Sequence, residues 1–140
     1  MKKILILSIF LAYTMLNANS YSNSTLVLSA QNGNAIAQYN LGLHYKNSKN
    51  KNPRDAFRWM HKSALKGYRP AQYEFALMFH YGIGVKQNSD LARLWFKRAA
   101  KKGETRAKIV LYRFYAGKKV EPNVKKTYRH YSQNFRTIRQ

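Results

Sequence analysis

AQYEFALMFHYGIGVKQNSDLARLWFKRAAKKG, residues 71–103, carries two apolar stripes separated by a loop containing two glycines. Ala71, Phe75 and Phe79 fall at i, i+4 and i+8, which places them on one side of a helix. Ala92, Trp95, Phe96 and Ala100 form a second helical stripe. Asn88 precedes that second helix as a cap for free amides, and Gly103 closes it, where a left-handed residue is cheap for glycine alone. The segment reads as helix, loop, helix, tight turn.

The same pattern recurs on both sides. Gly33, Gly67 and Gly103 are spaced by 34 and 36 residues, and four residues after each comes an alanine: Ala37, Ala71 and Ala107. These open the hexamers AQYNLG, AQYEFA and AKIVLY, the first ending in Gly42, and an aromatic ring follows three residues later at Tyr45, Phe79 and Tyr115. Ala56, Trp59 and Ala64 return 36 residues on as Ala92, Trp95 and Ala100. Asn52, Asn88 and Asn123 stand before successive second helices, with Pro53 at the tolerated first helical position. A hairpin of this size cannot bury its stripe alone, so stability is expected from stacking one repeat on the next. The expected fold is all-α, a short right-handed α-solenoid.

These residues resemble the Sel1-like repeat family, whose pattern is an alanine, a leucine-glycine, a tyrosine, a glycine-rich loop, a tryptophan and a closing double alanine with glycine. Gly82, Ile83, Gly84 and Val85 supply the loop, followed by Trp95, Ala99, Ala100 and Gly103. The likeness covers roughly residues 30–131 and departs from the pattern at both ends. Lys46 to Lys51 replace the glycine loop in the first repeat, and the third has Tyr112 where the family prefers glycine and His130 where tryptophan is expected. The expected organisation is a signal peptide at 1–20, a partial leading helix at 21–33, repeats at 34–67 and 68–103, and a degenerate third repeat with a capping helix at 104–140.

Export is expected from the N-terminus. Met1, Lys2 and Lys3 precede an apolar run from Ile4 to Leu16, then Asn17, Ala18, Asn19 and Ser20, which suit a signal-peptidase site. The run is shorter than the roughly 20 residues a spanning helix needs, so an uncleaved inner-membrane anchor is the lesser reading. The expected location is periplasmic or secreted. Absence of cysteine excludes a disulfide framework, a thiolate metal site and a cysteine-linked lipid anchor.

Charge is the other strong signal: 26 Lys plus Arg against 5 Asp plus Glu gives a net +21. Arg54, Arg58, Lys62 and Lys66 step at i+4 along one predicted helix, and Arg93, Lys97 and Lys101, flanked by Arg98 and Lys102, along the next. Side by side, the two rows would merge into one cationic face. Like charges at this spacing cost a few tenths of a kcal/mol per pair, which an anionic partner would relieve. A solvated outer face explains the same pattern.

Catalytic signals are weak. His44, His61, His80 and His130 share no metal-ligand spacing, and Glu74, Glu104 and Glu121 are isolated in sequence. Asp55 and Asp90 sit in the first turns of second helices, where they offset the helix dipole. Trp59 and Trp95 share one repeat position and are expected in the core. No cofactor or metal is expected.

The resemblance implies a binding scaffold. By analogy with the family, Gln38, Gln72 and Lys108 would be exposed and line a concave face that takes a protein or peptide. An anionic envelope polymer or membrane surface is the alternative partner, and nucleic acid is disfavoured by export. Cysteine-rich members of the family have been described as β-lactamase-like, which makes hydrolase the enzyme alternative, although this chain lacks their cysteines.

Overall fold

The helix starts at Ala35, Pro53 and Ser89 are fixed by asparagine side chains that satisfy orphan backbone amides. In the computed structural model, which describes residues 24–48 and 51–117, a helix at 24–31 (α1) precedes five others. These are α2 (Ala35–Asn47), α3 (Pro53–Leu65), α4 (Arg69–Tyr81), α5 (Ser89–Lys101) and α6 (Thr105–Tyr115). Oδ1 of Asn34 accepts from the amide of Ala37 at 2.9 Å, that of Asn52 from Asp55 at 3.1 Å, and that of Asn88 from Leu91 at 2.9 Å. Gly33, Gly67 and Gly103 hold φ of 92°, 82° and 88°, the left-handed region that turns each helix end into the next helix start. No strand occurs among the described residues.

Each helix from α2 onward packs on the next, α2 on α3, α3 on α4, α4 on α5 and α5 on α6, so hairpins stack in chain order. Alanines set the distance: Ala56, Ala71, Ala76, Ala92, Ala99 and Ala107 are fully buried, and their small side chains let backbones approach. Gly42 does the same for α2, since a Cβ there would sit 3.1 Å from the Met60 side chain and 3.3 Å from its amide nitrogen.

Large rings fill the remaining space around Phe75. Its centroid lies 4.8 Å from Phe57 of α3, 5.0 Å from Phe79 of α4 and 4.9 Å from Trp95 of α5, the last edge-on at 85°. Three helices from two hairpins thus meet at one side chain, with each ring pair adding roughly 0.5–1.5 kcal/mol beyond its burial. Trp95 is buried in this main core. Trp59 is half-buried and packs on a smaller cluster of Ala30, Ala37 and Leu41, which joins α1 to the first hairpin.

The far end of the stack is less covered. Ile109, Tyr112 and Phe114 of α6 are exposed, Tyr112 at 83 %. The expected signal peptide, the cap Asn123, His130 and the capping helix over residues 124–139 lie outside the described residues.

Candidate binding surface

Stacking of hairpins decides which of the expected surface residues are available. Gln38 and Gln72 are not: both are buried, correcting the expectation that they line an open concave face. Nε2 of Gln38 donates to the Ala30 carbonyl at 3.0 Å, and Nε2 of Gln72 to the Ala64 carbonyl at 3.2 Å. The physical reason is that carbonyls in the last turn of a helix lack their usual intrahelical donors. The Ala30 and Ala64 carbonyls accept from the turn amides of Gly33 and Gly67, and a glutamine in the first turn of the following helix reaches back to add a second donor. Lys108, at the same repeat position in α6, is exposed.

Members of the two basic rows differ in how free their charges are. Arg58 bonds Asp55 at 3.0 Å, and the Lys62 ammonium sits 4.0 Å above the Trp59 ring. Arg93 is half-buried, its Nε and Nη1 enclosed without a hydrogen-bond partner. Lys66, Lys97 and Lys101 are exposed. Of these, Lys66 and Lys101 come together with Arg98 and Lys102 on the walls of one groove of about 530 Å³ between the C-terminal ends of α3 and α5. Ala64, Leu65, Gly67, Gln72 and Trp95 complete its lining, and the Arg98 guanidinium stacks 4.4 Å from the Trp95 ring.

Every lining charge in that groove is positive. Three of the described carboxylates are engaged elsewhere: Asp55 with Arg58, Glu74 with Lys46 at 2.7 Å, and Glu104 with Arg106 at 2.7 Å and Arg69 at 3.7 Å. The hydrogen bond from Arg106 holds the Glu104 carboxyl below its ordinary range. Lys46–Glu74 links α2 to α4, and Arg69–Glu104 links α4 to the cap of α6, so both tie one hairpin to the next. Sequence alone left Glu74 isolated because its partner is set by the stack, Lys46 being 28 positions away, whereas Glu104 takes its shorter bond from the sequence neighbour Arg106 and only the longer one, to Arg69, from the stack. On the same side Tyr39 meets Tyr68 edge-on at 5.3 Å, and Arg106 lies 4.4 Å over Tyr73. Burial raises the Tyr39 and Tyr73 hydroxyls above the usual phenol range.

Among the described residues, no group of three His, Cys, Asp or Glu is placed to share a metal ion. The expectation that the chain carries no S-x-x-K spacing of serine acyl enzymes is corrected by its own sequence, where that spacing occurs at Ser48 to Lys51 and at Ser63 to Lys66. Ser63 is fully buried and its hydroxyl donates to the Ala35 carbonyl at 2.6 Å, a packing bond between α3 and α2. Ser48 stands at the C-cap of α2. His80 is engaged as well, its Nδ1 2.7 Å from the Tyr115 hydroxyl. No described helix is long and apolar enough to cross a membrane.

Comparison with known proteins agrees with this repeat geometry. The chain is 45 % identical over 58 residues to chitin synthase regulatory factor 3 of Schizosaccharomyces pombe, covering 41 % of this chain and 6 % of that protein. It is 43 % identical over 54 residues to an F-box protein of Arabidopsis thaliana, covering 39 % of this chain and 15 % of that one. The chain therefore spans only a small part of the curated relatives it matches. Among solved structures it is similar to a Sel1 repeat protein from Oxalobacter formigenes, with TM-score 0.60 and 34 % identity over 62 % of this chain and 67 % of the other. It is also similar to a protective antigen of uropathogenic Escherichia coli displaying an SLR fold, with TM-score 0.62 and 33 % identity over 79 % of this chain and 25 % of that one. With the Sel1 repeat model matching residues 35–68 and 69–104, the alanine spacing, the glycine turns and the stacked hairpins have one explanation: the chain belongs to the Sel1 repeat family.

Proposed function

We propose that this chain is an exported scaffold of the bacterial envelope that holds a protein or peptide partner, and that it has no catalytic role. Sel1 repeats generally mediate protein–protein interaction and are typically non-catalytic. The observation that carries the reading is the groove at the ends of α3 and α5, where Trp95 and the exposed Leu65 lie among four cations and no acid. A groove that sets an exposed apolar side chain, Leu65, among polar ones is how a rigid helical stack offers a binding site. Export rests on the Lys2–Lys3 start, the apolar run after it and the small residues around Ser20.

Fractionation of producing cells, followed by N-terminal sequencing, tests location: mature protein beginning near Ser20 in the periplasm or medium is expected, and full-length protein in the cytoplasm defeats export. Affinity capture from envelope extract after cross-linking tests scaffolding, with a discrete stoichiometric partner expected. A second reading, a cationic module for anionic envelope polymers or membrane surface, draws on the net +21. Salt separates the two, because polyanion binding falls steeply between about 50 and 200 mM salt and binding in an apolar groove falls less. Turnover of a chromogenic β-lactam by pure protein would restore the hydrolase alternative.

A further inference from the structure

We infer that the groove between the C-terminal ends of α3 and α5 takes an acidic peptide segment in which carboxylate side chains alternate with aliphatic ones. The inference deepens the scaffold reading and rests on it.

Charge complementarity selects the occupant's sign. Lys66, Arg98, Lys101 and Lys102 line the groove, and no carboxylate does. Lys66, Lys101 and Lys102 form no ion pair with any described residue, while Asp55, Glu74 and Glu104 are held by cations elsewhere. The ammonium of Lys102 is fixed by donation to the Gly67 carbonyl at 3.0 Å, so one cation is anchored across the groove before any ligand arrives. Four positive groups at this density repel one another, and an incoming carboxylate relieves that repulsion.

Apolar surface selects a peptide over a bare polyanion. Leu65 keeps 57 % of its surface in water on the rim of the groove, directly beside the cations. The Arg98 guanidinium stacked on Trp95 gives the floor a flat face suited to a peptide plane or an aliphatic side chain. Phosphate polymers leave such surface unused, whereas a segment alternating glutamate with leucine covers Leu65 and neutralises the lysines together. At about 530 Å³ the groove falls within the roughly 300–1,000 Å³ span of small-ligand sites, so a few residues fill it.

The competing explanation for the cations is internal. Lys66 and Lys101 stand at or beside the C-terminal ends of α3 and α5, where positive charge offsets the helix dipole by roughly 0.3–1 kcal/mol. That role needs no ligand and predicts no selectivity for one.

Fluorescence anisotropy of a short labelled peptide alternating glutamate and leucine, added to full-length mature protein, decides between them. Saturable binding is expected, weakened at least about tenfold (about 1.4 kcal/mol) in the double variant Lys66→Gln with Lys101→Gln. Both residues are exposed, and circular dichroism checks that the variant keeps its helix content. Leu65→Ser is expected to weaken binding several-fold independently of charge. The pair Lys86→Gln with Arg113→Gln removes the same charge away from the groove and should leave affinity within about twofold. The inference fails if the peptide does not bind, if its glutamine-for-glutamate counterpart binds as well, or if the control pair is as damaging as the groove pair. It also fails if polyphosphate or phosphatidylglycerol vesicles bind through Lys66 and Lys101 and are indifferent to Leu65→Ser. Capturing the same envelope partner with the groove double variant would overturn this inference while leaving the scaffold reading intact; wild-type protein capturing no partner would overturn the scaffold reading, and this inference with it.

Discussion

Lys102 donates its ammonium to the main-chain carbonyl of Gly67, 3.0 Å away and 35 positions earlier in the chain. Lys66 holds the same place one repeat earlier: its Nζ lies 3.2 Å from where a Cβ of Gly33 would be. The lysine closing each second helix thus lies over the glycine turn of the hairpin before it. Two residue types that local sequence explains separately, a cation at a helix end and a glycine in a left-handed turn, prove to touch.

Removal of that contact gives a graded effect. Lys102→Met loses one exposed hydrogen bond and is expected to cost about 0.5–1 kcal/mol in chemical denaturation. Gly67→Ala costs more, because φ of 82° is strained for alanine and the new Cβ collides with the lysine ammonium. The flexible lysine can move aside, which keeps the total near 1–2 kcal/mol. Combined with Lys102→Met, Gly67→Ala should cost less than the sum of the two single changes; full additivity would show that the contact is absent in solution.

The two loop glycines between α4 and α5 look alike in sequence and differ in consequence. Gly82 and Gly84 both have positive φ, 72° and 70°. A Cβ at Gly82 meets its neighbours at 3.4 Å, ordinary contact, so Gly82→Ala is expected to cost only the backbone strain of about 1–2 kcal/mol. At Gly84 the added atom would overlap the carbonyl of Pro53, where backbone of the first hairpin cannot yield without shifting the start of α3. Gly84→Ala should therefore cost at least about 1–3 kcal/mol more. Equal denaturation midpoints for the two variants would contradict this packing of loop on helix.

A ring at the meeting point of two hairpins should matter more than a ring at the end of the stack. Phe75→Ala is expected to cost about 3–5 kcal/mol, a large part of the 5–15 kcal/mol that holds a typical domain together. Phe114→Ala, at a site 49 % exposed, should stay well below that. Thermal melts followed by circular dichroism at 222 nm check the contrast: similar midpoints would mean that the hairpins are not held through Phe75.

Repetition made the helices readable. The Asn52 and Asn88 caps, the glycine turns and the alanine stripes each follow from a rule acting within a few residues, and three similar copies of a pattern expose it against the background. The surface was less legible, because exposure is decided by the neighbouring hairpin. Gln38 and Gln72 look like surface residues until the preceding helix end is placed against them, and Glu74 looks alone until α2 brings Lys46 to it. Likewise the regular i+4 rows of cations gave no hint that Lys66 and Lys101 would share a groove while Arg58 and Lys62 turned to partners on their own helix. Spacing along one helix is local information, and a groove between two helix ends is not.

His61 supplies the clearest dependence on pH. It is buried against Phe75, ring centroids 5.1 Å apart and nearly parallel, and burial lowers its pKa from 6.5 to about 4. A histidine whose folded pKa is depressed binds fewer protons folded than unfolded between those two values, so stability falls as pH drops through about 6.5 and levels off below about 4. At 1.36 kcal/mol per unit the full loss is roughly 3 kcal/mol. The carboxyl of Glu104 is depressed from 4.5, and its contribution is lost only at lower pH, so the interval from about 6.5 to 4.5 isolates the imidazole. His61→Phe keeps an aromatic ring on Phe75 and removes the titration. Urea unfolding of both proteins across that interval should show the wild type losing about 2–3 kcal/mol more than the variant. Parallel profiles would mean that the imidazole is open to water and that α3 does not close over Phe75 as the structure has it.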